Sequence, residues 1–455
     1  MHRLRYATQA LNGMNEEQLH ELQWVRLHRQ IHYCLGMSGF YRRRFAELGI
    51  DERDIRSLED FQSLPIIMNK EQERRSQEES LEHVGHPYGT HLCCAPEDVA
   101  ITATTTGTTG TPTFTYTLAR DDLEMLNAAV ALMIGHAGIL PGERVLFAHA
   151  LGIYATSATL PPLRASGVLP IDVDVRGGAD ALIQFAELTK PVAMMTTPSL
   201  AQFLIEHMPE RAGQPVESLN LKAVFVVGEI GVGLPEVKAR IESAYGCRVY
   251  DWIGPAGQTL AFSCDSDEYY GMHAVTPDHD LYPLDLVDPI TGVHIDPVDG
   301  AEGEAIYTSL KRKAVPLLRF GSGDIVRVMR GECPSCGFTG ARLRVVGRSD
   351  DMLIVKGTNV YPAAIRAVIN EFIPEVTGQM RIVLTEPPPR VEPPLVVRIE
   401  RGPEERDGNL ENLGARIRRA LHDRVHMTPQ IEWVENGVFE RSVTKTPMFE
   451  RRYEA

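Results

Sequence analysis

The sequence predicts a mixed α/β protein, with a large body that combines parallel sheet and a β-rich subdomain, followed by a small C-terminal α+β domain. The chain has 455 residues, beyond the size at which a single hydrophobic core stops growing. From about residue 98, short apolar runs typical of buried strands alternate with helical segments. This alternation favours crossover units and parallel strands. After residue 280 the segments become strand-like and rich in turn residues.

The N-terminal part is predicted to be helical. Residues 15–60 carry apolar side chains at steps of three and four, and Gly49 is a candidate helix end. Pro65 interrupts this pattern, and a strongly polar stretch, residues 69–80, follows it. We therefore expect a helical segment to precede the sheet.

The middle of the chain carries the alternation of strands and helices. Strand-like runs span 145–150, 192–197, 223–228 and 248–252, and helical segments span 121–138, 181–189 and 234–246. The last hundred residues return to a mixture, with strands around a Pro-rich turn near 385–394 and an amphipathic helix over 409–425. The small polar run 347–351 is the best candidate for a domain junction.

Composition and charge exclude several classes of function. The formal net charge is −15, so the overall field repels polyanions, and the few short arginine clusters do not form a nucleic-acid surface. We find no signal-peptide pattern and no apolar run of membrane-spanning length. The expectations are a cytoplasmic protein, no nucleic-acid partner and no membrane partner.

A threonine- and glycine-rich loop at residues 104–113 is the most informative stretch. It follows a strand-like run and offers hydroxyl groups and backbone N–H groups on a backbone that can curl around an anion. It lacks the lysine of the nucleotide triphosphatase loop. From the residues alone, a phosphate-binding loop and an ordinary Thr-rich turn remain equally open.

Several segments, in order, resemble the adenylate-forming enzymes, and in particular the phenylacetate–coenzyme A ligases. The Thr-rich loop is similar to the phosphate loop of that superfamily. The other segments are residues 40–45, 55–60 and 64–65 near the N-terminus, Arg319–Ile325, Gly347–Ile354 and Gly357–Pro362. The resemblance implies a large body over residues 1–346 that binds ATP and an acid, a hinge at 347–351, and a mobile C-terminal lid over 352–455.

The resemblance also implies roles for individual residues. Asp324 would accept hydrogen bonds from the ribose hydroxyls, and Arg348 would contact the ribose or the phosphates. Lys445 would be the catalytic lysine that stabilises charge as pyrophosphate leaves, and Asp350 would be the hinge residue. The phosphate-binding residues would be Thr105, Thr106, Gly107, Thr108, Thr109 and Gly110, and those lining adenine Gly228, Glu229, Tyr250, Asp251 and Trp252.

The acid substrate is expected between two of the predicted strand ends. This pocket would draw on His149, Tyr154, Thr197, Pro198 and Gly254. Aromatic and apolar walls with a few polar groups suit an aromatic carboxylic acid.

The seven cysteines do not indicate a disulfide framework. Cys333 and Cys336 form a C-x2-C knuckle, the spacing at which one turn presents two thiolates to a tetrahedral metal. The resemblance adds Cys264 and His273, which would complete a structural zinc site. A redox C-x2-C pair and independent buried thiols are the alternatives. The other four cysteines, Cys34, Cys93, Cys94 and Cys247, are expected to be packing residues.

The sequence departs from the superfamily pattern at the usual magnesium ligand. Residues 253–259 contain no glutamate, and Thr111 stands where a lysine is common. Magnesium would then be held by phosphates and water, since it retains much of its hydration shell.

The function expected from the resemblance is ATP-dependent activation of an acid, with transfer of the acyl group to coenzyme A. Two alternatives stay open. One is a specialised aryl-acid adenylating enzyme of secondary metabolism that passes the acyl group to an amine or a hydroxyl acceptor. The other is a catalytically impaired relative that binds a nucleotide or an aryl ligand. The sequence does not determine the oligomeric state, and a homodimer is one possibility.

Overall fold

The computed structural model describes residues 14–104, 113–254, 261–355, 358–403, 409–439 and 447–453. The helices in these ranges are α1 (Glu16–Met37), α2 (Gly39–Glu47), α3 (Leu58–Gln62), α4 (Lys70–His83), α5 (Arg120–His136), α6 (Leu160–Ala165), α7 (Ala179–Thr189), α8 (Pro198–Ala212), α9 (Pro235–Tyr245), α10 (Pro362–Asn370) and α11 (Leu410–Val425).

The strands of the body are β1 (Met68–Asn69), β2 (Val99–Ala103), β3 (Tyr116–Ala119), β4 (Arg144–His149), β5 (Leu169–Asp174), β6 (Ala193–Thr196), β7 (Ala223–Val226), β8 (Arg248–Ile253), β9 (Ala261–Ser263), β10 (Met272–Ala274), β11 (Leu286–Val287), β12 (His294–Ile295), β13 (Glu302–Tyr307), β14 (Phe320–Met329) and β15 (Arg342–Arg348). Those that follow are β16 (Leu353–Val355), β17 (Thr358–Val360), β18 (Val376–Leu384), β19 (Arg390–Val391), β20 (Val396–Arg401), β21 (Gln430–Val434) and β22 (Phe449–Arg451).

The N-terminal helical segment is divided into several helices. Ser38 has extended backbone and separates α1 from α2. The polar stretch after Pro65 forms α4, because Asn69 and Gln72 build a reciprocal capping box at its start. Most residues of this stretch are also good helix formers. The helix therefore forms without an apolar stripe.

One large mixed sheet organises the body. Its described strands run in the order β12-β11-β13-β14-β15-β10-β9-β8-β7-β6-β4-β5, with β1 beside β14. The neighbours from β8 to β5 are parallel, and those from β9 to β12 are antiparallel. The predicted α/β class, with parallel strands and a strand-rich part, is confirmed.

Helices cover both faces of the parallel strands. Phe147, Met195, Phe225 and Tyr250 are register partners on four strands and share one buried face. Helix α5 packs on that face, while α7, α8 and α9 cover the other. Because both faces are buried, these strands read as nearly continuous apolar runs.

The C-terminal part has a hydrophobic core of its own. Residues between Leu353 and Met427 form this core, from α10, α11 and the strands of two small sheets. At the junction, a Cβ on Gly347 would come within 2.7 Å of the Tyr361 ring, so this close approach requires a glycine. The boundaries 1–346, 347–351 and 352–455 remain a prediction.

Across the described residues, every helix is too short or too polar to cross a bilayer.

Candidate nucleotide and acid site

The hairpin of β2 and β3 carries the Thr-rich loop. Its register ends at the pair Ala103 and Tyr116. The predicted phosphate ligands, residues 105–110, lie outside the described residues. On the N-terminal side, the Thr104 N–H donates to the Ile153 carbonyl oxygen over 2.7 Å. On the C-terminal side, the Phe114 N–H donates to Gln77 Oε1 over 2.9 Å. Both sides of the loop are therefore bonded to the body.

Asp324 lies on β14, next to a tight backbone approach at Gly323. The Arg348 guanidinium donates to one oxygen of the Asp324 carboxylate, and the Tyr307 hydroxyl donates to the other. Gly323 has a φ of +79°, and a Cβ there would come within 2.7 Å of Arg348 Nη2. The predicted ribose-binding carboxylate is therefore held by two donors that a ribose would have to share or displace.

Arg348 joins Asp324 to the predicted hinge residue. Its Nε and Nη2 atoms donate to the two oxygens of Asp350 over 2.7 and 2.9 Å, and Lys70 Nζ lies 3.6 Å from Asp350 Oδ2. Burial lowers the pKa of Arg348, but the neighbouring carboxylates outweigh it and raise this pKa above its ordinary value. Arg348 is charged at any physiological pH. The predicted catalytic lysine, Lys445, lies outside the described residues.

The predicted adenine-lining residues lie on β8 or just beyond the end of β7. Gly228 has a φ of +90° just beyond β7, and the Glu229 carboxylate accepts hydrogen bonds from the hydroxyl and backbone N–H of Ser199. Asp251 on β8 is buried and accepts from Tyr269 over 2.7 Å, and burial raises its pKa to about 7.

The two aromatic residues of this predicted set lie in the core. Tyr250 stacks on Phe225 with ring centroids 5.3 Å apart. Trp252 is buried, and its indole Nε1 has no hydrogen-bond partner. The structure therefore places Tyr250 in the core that supports the strand ends. Trp252 is two residues closer to the end of β8, and its indole N–H is an unpaired donor there.

His149 ends β4 on the same face of the sheet. Phe147 on β4 pairs with Met195 on β6. His149 and Thr197 each come two residues later, so they lie at neighbouring strand ends. The ring is buried, and its Nε2 has no hydrogen-bond partner. Burial lowers the pKa of His149 to about 4, so the ring is neutral at neutral pH. An unpaired buried polar atom is costly, which makes His149 a candidate ligand contact.

The other predicted acid-binding residues lie at the neighbouring strand ends. Thr197 caps α8 by accepting from the Leu200 N–H, and Pro198 is the first residue of that helix. The Gly254 carbonyl accepts from the Tyr116 hydroxyl over 2.8 Å. The Tyr154 ring lies 5.3 Å from the Arg176 guanidinium carbon, and its backbone forms a bridge with Thr104.

The predicted metal ligands Cys264, His273, Cys333 and Cys336 come together. Their ligand atoms all lie within 4.8 Å of one another, and His273 Nε2 is 3.3 Å from Cys336 Sγ. The His273 Nδ1 atom lies 3.2 Å from the Phe262 carbonyl oxygen. A proton on Nδ1 would donate to that oxygen and leave Nε2 free to bind a metal.

The thiols of this cluster interact strongly. A hydrogen bond with Cys336 lowers the pKa of Cys264 to about 3, although burial opposes this, while the bond to Cys264 and burial raise the pKa of Cys336. The C-x2-C turn is closed by a bond of 2.9 Å from the Gly337 N–H to the Cys333 carbonyl oxygen. A cation at the centre would stabilise all three thiols as thiolates.

Sequence reasoning missed residues that hold this site together. Tyr307, Lys70 and Glu73 contact Asp324, Asp350 and Thr115 respectively. No local motif marks Tyr307 or Glu73, because both partners come from distant segments. Arg319 in the RFGSGD segment is turned inward, and its Nη1 lies 3.0 Å from each oxygen of the buried Asp285.

Comparison with known proteins agrees with this architecture. The family model of the AMP-binding enzyme C-terminal domain matches residues 357–452. A phenylacetate–coenzyme A ligase of Thermus thermophilus is 30% identical over 452 residues, covering 95% of this chain and 96% of that protein.

Solved structures of a 2-hydroxyisobutyryl-CoA ligase are similar over nearly the whole chain. In its postadenylation state, in complex with R3-HIB-AMP, the TM-score is 0.83 at 26% identity, covering 97% of this chain and 91% of that chain. In its thioesterification state, in complex with 2-HIB-AMP and CoA, the TM-score is 0.66 at 27% identity and the same coverage.

The fold and these matches define a member of the adenylate-forming superfamily. Both the domain that matches the family model and the body that precedes it have counterparts in the relatives. Within the superfamily, the chain belongs to the phenylacetate–coenzyme A ligase family.

Proposed function

We propose that this protein activates a carboxylic acid with ATP, releases pyrophosphate, and transfers the acyl group from the acyl-adenylate to coenzyme A. The observation that carries the proposal is the contact of Arg348 with both Asp324 and Asp350, which joins the predicted ribose-binding carboxylate to the predicted hinge residue. The match to a phenylacetate–coenzyme A ligase over 95% of this chain also supports the proposal.

In this proposal, the ribose hydroxyls donate to Asp324 in place of Arg348. The guanidinium then turns towards the ribose or the phosphates while Tyr307 keeps its bond to the carboxylate. Lys445 and residues 105–110 would neutralise the charge that develops as pyrophosphate leaves, because donors preorganised around a growing charge stabilise the transition state. The protein itself carries a charge of −15, so these local donors must overcome the overall field.

Transfer to coenzyme A would follow a rotation of the C-terminal domain about residues 347–351. The structure is more similar to the postadenylation state of the 2-hydroxyisobutyryl-CoA ligase, with a TM-score of 0.83, than to its thioesterification state, with a TM-score of 0.66. This difference supports an orientation of the C-terminal domain near that of the postadenylation state. Rotation at Asp350 would break its contacts with Arg348 and Lys70.

The acid is proposed to be aromatic. Buried aromatic and apolar residues support the strand ends at His149, Thr197 and Gly254, and the unpaired Nε2 of His149 offers one polar contact. A panel of aryl and alkyl acids tests this, with aryl acids expected to show the larger kcat/KM.

Two metals enter the proposal differently. Three thiol sulfurs and one imidazole nitrogen within 4.8 Å of one another fit a structural zinc ion, held by Cys264, His273, Cys333 and Cys336. Residues 253–259 supply no carboxylate, so Mg²⁺ is proposed to arrive with ATP, held by phosphate oxygens and water.

Pyrophosphate release is the decisive assay. The protein is incubated with ATP, Mg²⁺ and each acid, with and without coenzyme A. We expect acid-dependent release and formation of a thioester when coenzyme A is present. Release without consumption of coenzyme A would instead indicate an amine or hydroxyl acceptor. No release with any acid, from folded protein, would contradict the proposal and leave a binding role.

A further inference from the structure

Strand β13 holds a bulge in strand β14, and the bulge carries the predicted ribose-binding carboxylate. Residues 304–306 of β13 lie opposite residues 321–325 of β14. Because β14 has more residues between the same two register pairs, residues 322–324 bulge out of the ladder with β13. Bulges next to binding sites redirect side chains. The bulge therefore gives the carboxylate a direction that a regular strand would not give it.

Three hydrogen bonds fix the backbone of this bulge. The Gly323 N–H donates to Glu304 Oε1 over 2.9 Å. The Ser322 hydroxyl donates to the Ala305 carbonyl oxygen over 2.6 Å and accepts from the Asp324 N–H over 2.9 Å. These bonds set the backbone of Asp324, so what remains for other contacts to determine is the orientation of its carboxylate.

The two donors that hold this carboxylate differ in rigidity. The Arg348 guanidinium donates to Oδ1, and the Tyr307 hydroxyl donates to Oδ2. Arg348 is a long, partly exposed side chain that also binds Asp350. The Tyr307 ring is buried, and its centroid lies 4.9 Å from that of Tyr282 and 6.4 Å from that of Phe320. Because packing locks its rotamer, Tyr307 is the more rigid support.

The chemistry of Tyr307 suits support of the carboxylate rather than ligand binding. Burial raises the pKa of this phenol well above its ordinary value, and the Asp324 carboxylate raises it further, so the hydroxyl is protonated at physiological pH. A phenol has one proton to donate, and Tyr307 donates it to Asp324. A phenylalanine would fill the same packed space without a polar atom to bury. The hydrogen bond to Asp324 is therefore what the tyrosine adds at this position.

We propose that Tyr307 is a positioning residue that orients the Asp324 carboxylate to accept both hydroxyls of a ribose, which makes the site selective for ribonucleotides. The proposal rests on the proposed function, because it takes Asp324 as the ribose ligand. Each carboxylate oxygen can accept two hydrogen bonds. In the complex, Oδ2 keeps Tyr307 and accepts one ribose hydroxyl, and Oδ1 exchanges Arg348 for the other. Tyr307 acts through Asp324 and does not touch the nucleotide.

A comparison of nucleotides tests the selectivity. Initial rates of pyrophosphate release are measured with ATP, 2′-deoxyATP and 3′-deoxyATP, with the acid that gives the highest rate in the panel. We expect the wild type to favour ATP over each deoxynucleotide about 10–100-fold in kcat/KM, because a hydrogen bond to a charged group is lost. In Tyr307→Phe this preference should fall to about threefold or less, and the KM for ATP should rise about tenfold, since a misplaced ligand group binds less well. The KM for the acid should change less than about twofold.

Tyr245→Phe is the matched control. Tyr245 is also a buried tyrosine, its hydroxyl donates to the Ala201 carbonyl oxygen over 3.0 Å, and it belongs to a different hydrophobic cluster from Tyr307. The control removes the same atom and one buried hydrogen bond, so a loss of stability alone should affect both variants. The preference of Tyr245→Phe for ATP should equal that of the wild type.

A double variant tests whether Tyr307 acts through Asp324. Asp324→Asn removes the carboxylate that Tyr307 orients and should by itself lower kcat/KM for ATP. If Tyr307 acts only on that carboxylate, Tyr307→Phe in the Asp324→Asn background should lower kcat/KM for ATP no further. A further drop as large as the one that Tyr307→Phe causes in the wild type would mean that Tyr307 acts elsewhere, and would overturn the proposal.

The outcomes separate this inference from the proposed function. A wild type that releases pyrophosphate without favouring ATP over the deoxynucleotides, or a Tyr307→Phe variant that keeps the full preference, overturns the role of Tyr307 alone. If Tyr307→Phe does not fold, a crystal structure of the wild type with ATP decides. A Tyr307 hydroxyl bonded to ribose-bound Asp324 supports the proposal, and a ribose-bound carboxylate that has lost Tyr307 overturns it. A folded wild type that releases no pyrophosphate with any acid overturns both proposals.

Discussion

Replacement of Cys336 by serine tests the predicted zinc site most directly. Cys336 is the most accessible of the four ligands, the other three being buried, so serine disturbs the core least. A tetrahedral zinc ion with Zn–S of about 2.3 Å and Zn–N of about 2.0 Å places sulfur and nitrogen about 3.5 Å apart. The observed separation of 3.3 Å between Cys336 Sγ and His273 Nε2 is close to this value. This pair of ligand atoms already has the separation that a tetrahedral zinc ion requires, and the four ligand atoms together lie within 4.8 Å of one another.

The size of the effect follows from the number of ligands. Structural zinc sites contribute roughly 10–16 kcal/mol of apparent binding free energy at neutral pH, or about 3 kcal/mol for each of four ligands. Loss of about 3 kcal/mol weakens zinc binding by about two orders of magnitude. The cluster packs into the same core as Tyr250 and Trp252, so the variant should also unfold at a lower temperature.

Metal analysis and thermal unfolding provide the assay. We expect about one zinc ion per chain in the wild type and clearly less in Cys336→Ser after dialysis against a weak chelator. Cys94→Ser is the control, because Cys94 is also partly exposed but is not part of the cluster. A wild type without bound metal, or a Cys336→Ser variant that keeps it in full, would refute the zinc site.

Three further substitutions probe the candidate site and the core. Lys445→Ala should slow pyrophosphate release by about two orders of magnitude while thermal stability is unchanged; a rate near that of the wild type would exclude the lysine from the chemistry. Arg348→Lys keeps the charge but loses the fork that bridges Asp324 and Asp350, so the KM for ATP should rise about tenfold, as initial rates would show. Asp285→Asn leaves the buried Arg319 without a counter-charge and should lower the free energy of unfolding by about 3–5 kcal/mol in a denaturant titration.

Much of the body could be predicted from apolar patterning. The runs that became β4, β6, β7 and β8 are buried on both faces, so their residues are nearly all apolar and easy to recognise. Helix α11 was equally visible, because one of its faces covers a small sheet. Helix α4 was not, since the residues it buries are polar: Glu73, Ser76, Gln77 and Ser80. Its local signals were the many good helix formers in the stretch and the spacing of Asn69 and Gln72, which is typical of a capping box.

The candidate site was predictable only where residues near in sequence act together. The C-x2-C knuckle was visible as a spacing, whereas Cys264 and His273 came from the resemblance. The hydrogen-bond partners of Asp324 could not be predicted from the neighbouring sequence, because Tyr307 and Arg348 lie on the two strands that flank β14. Burial was equally invisible: Tyr250 reads as a strand-end residue but packs into the core.

The pairing of β1 with β14 also constrains the order in which the protein can fold. The parallel strands β4 to β8 are close in sequence and can assemble as soon as they are synthesised, whereas β1 must wait for a partner that emerges much later. Until then, α4 lacks the strand pairing that holds its first turn in place. The candidate nucleotide site is thus completed late in synthesis, because a nascent chain that ends before Phe320 lacks the strand that carries Asp324.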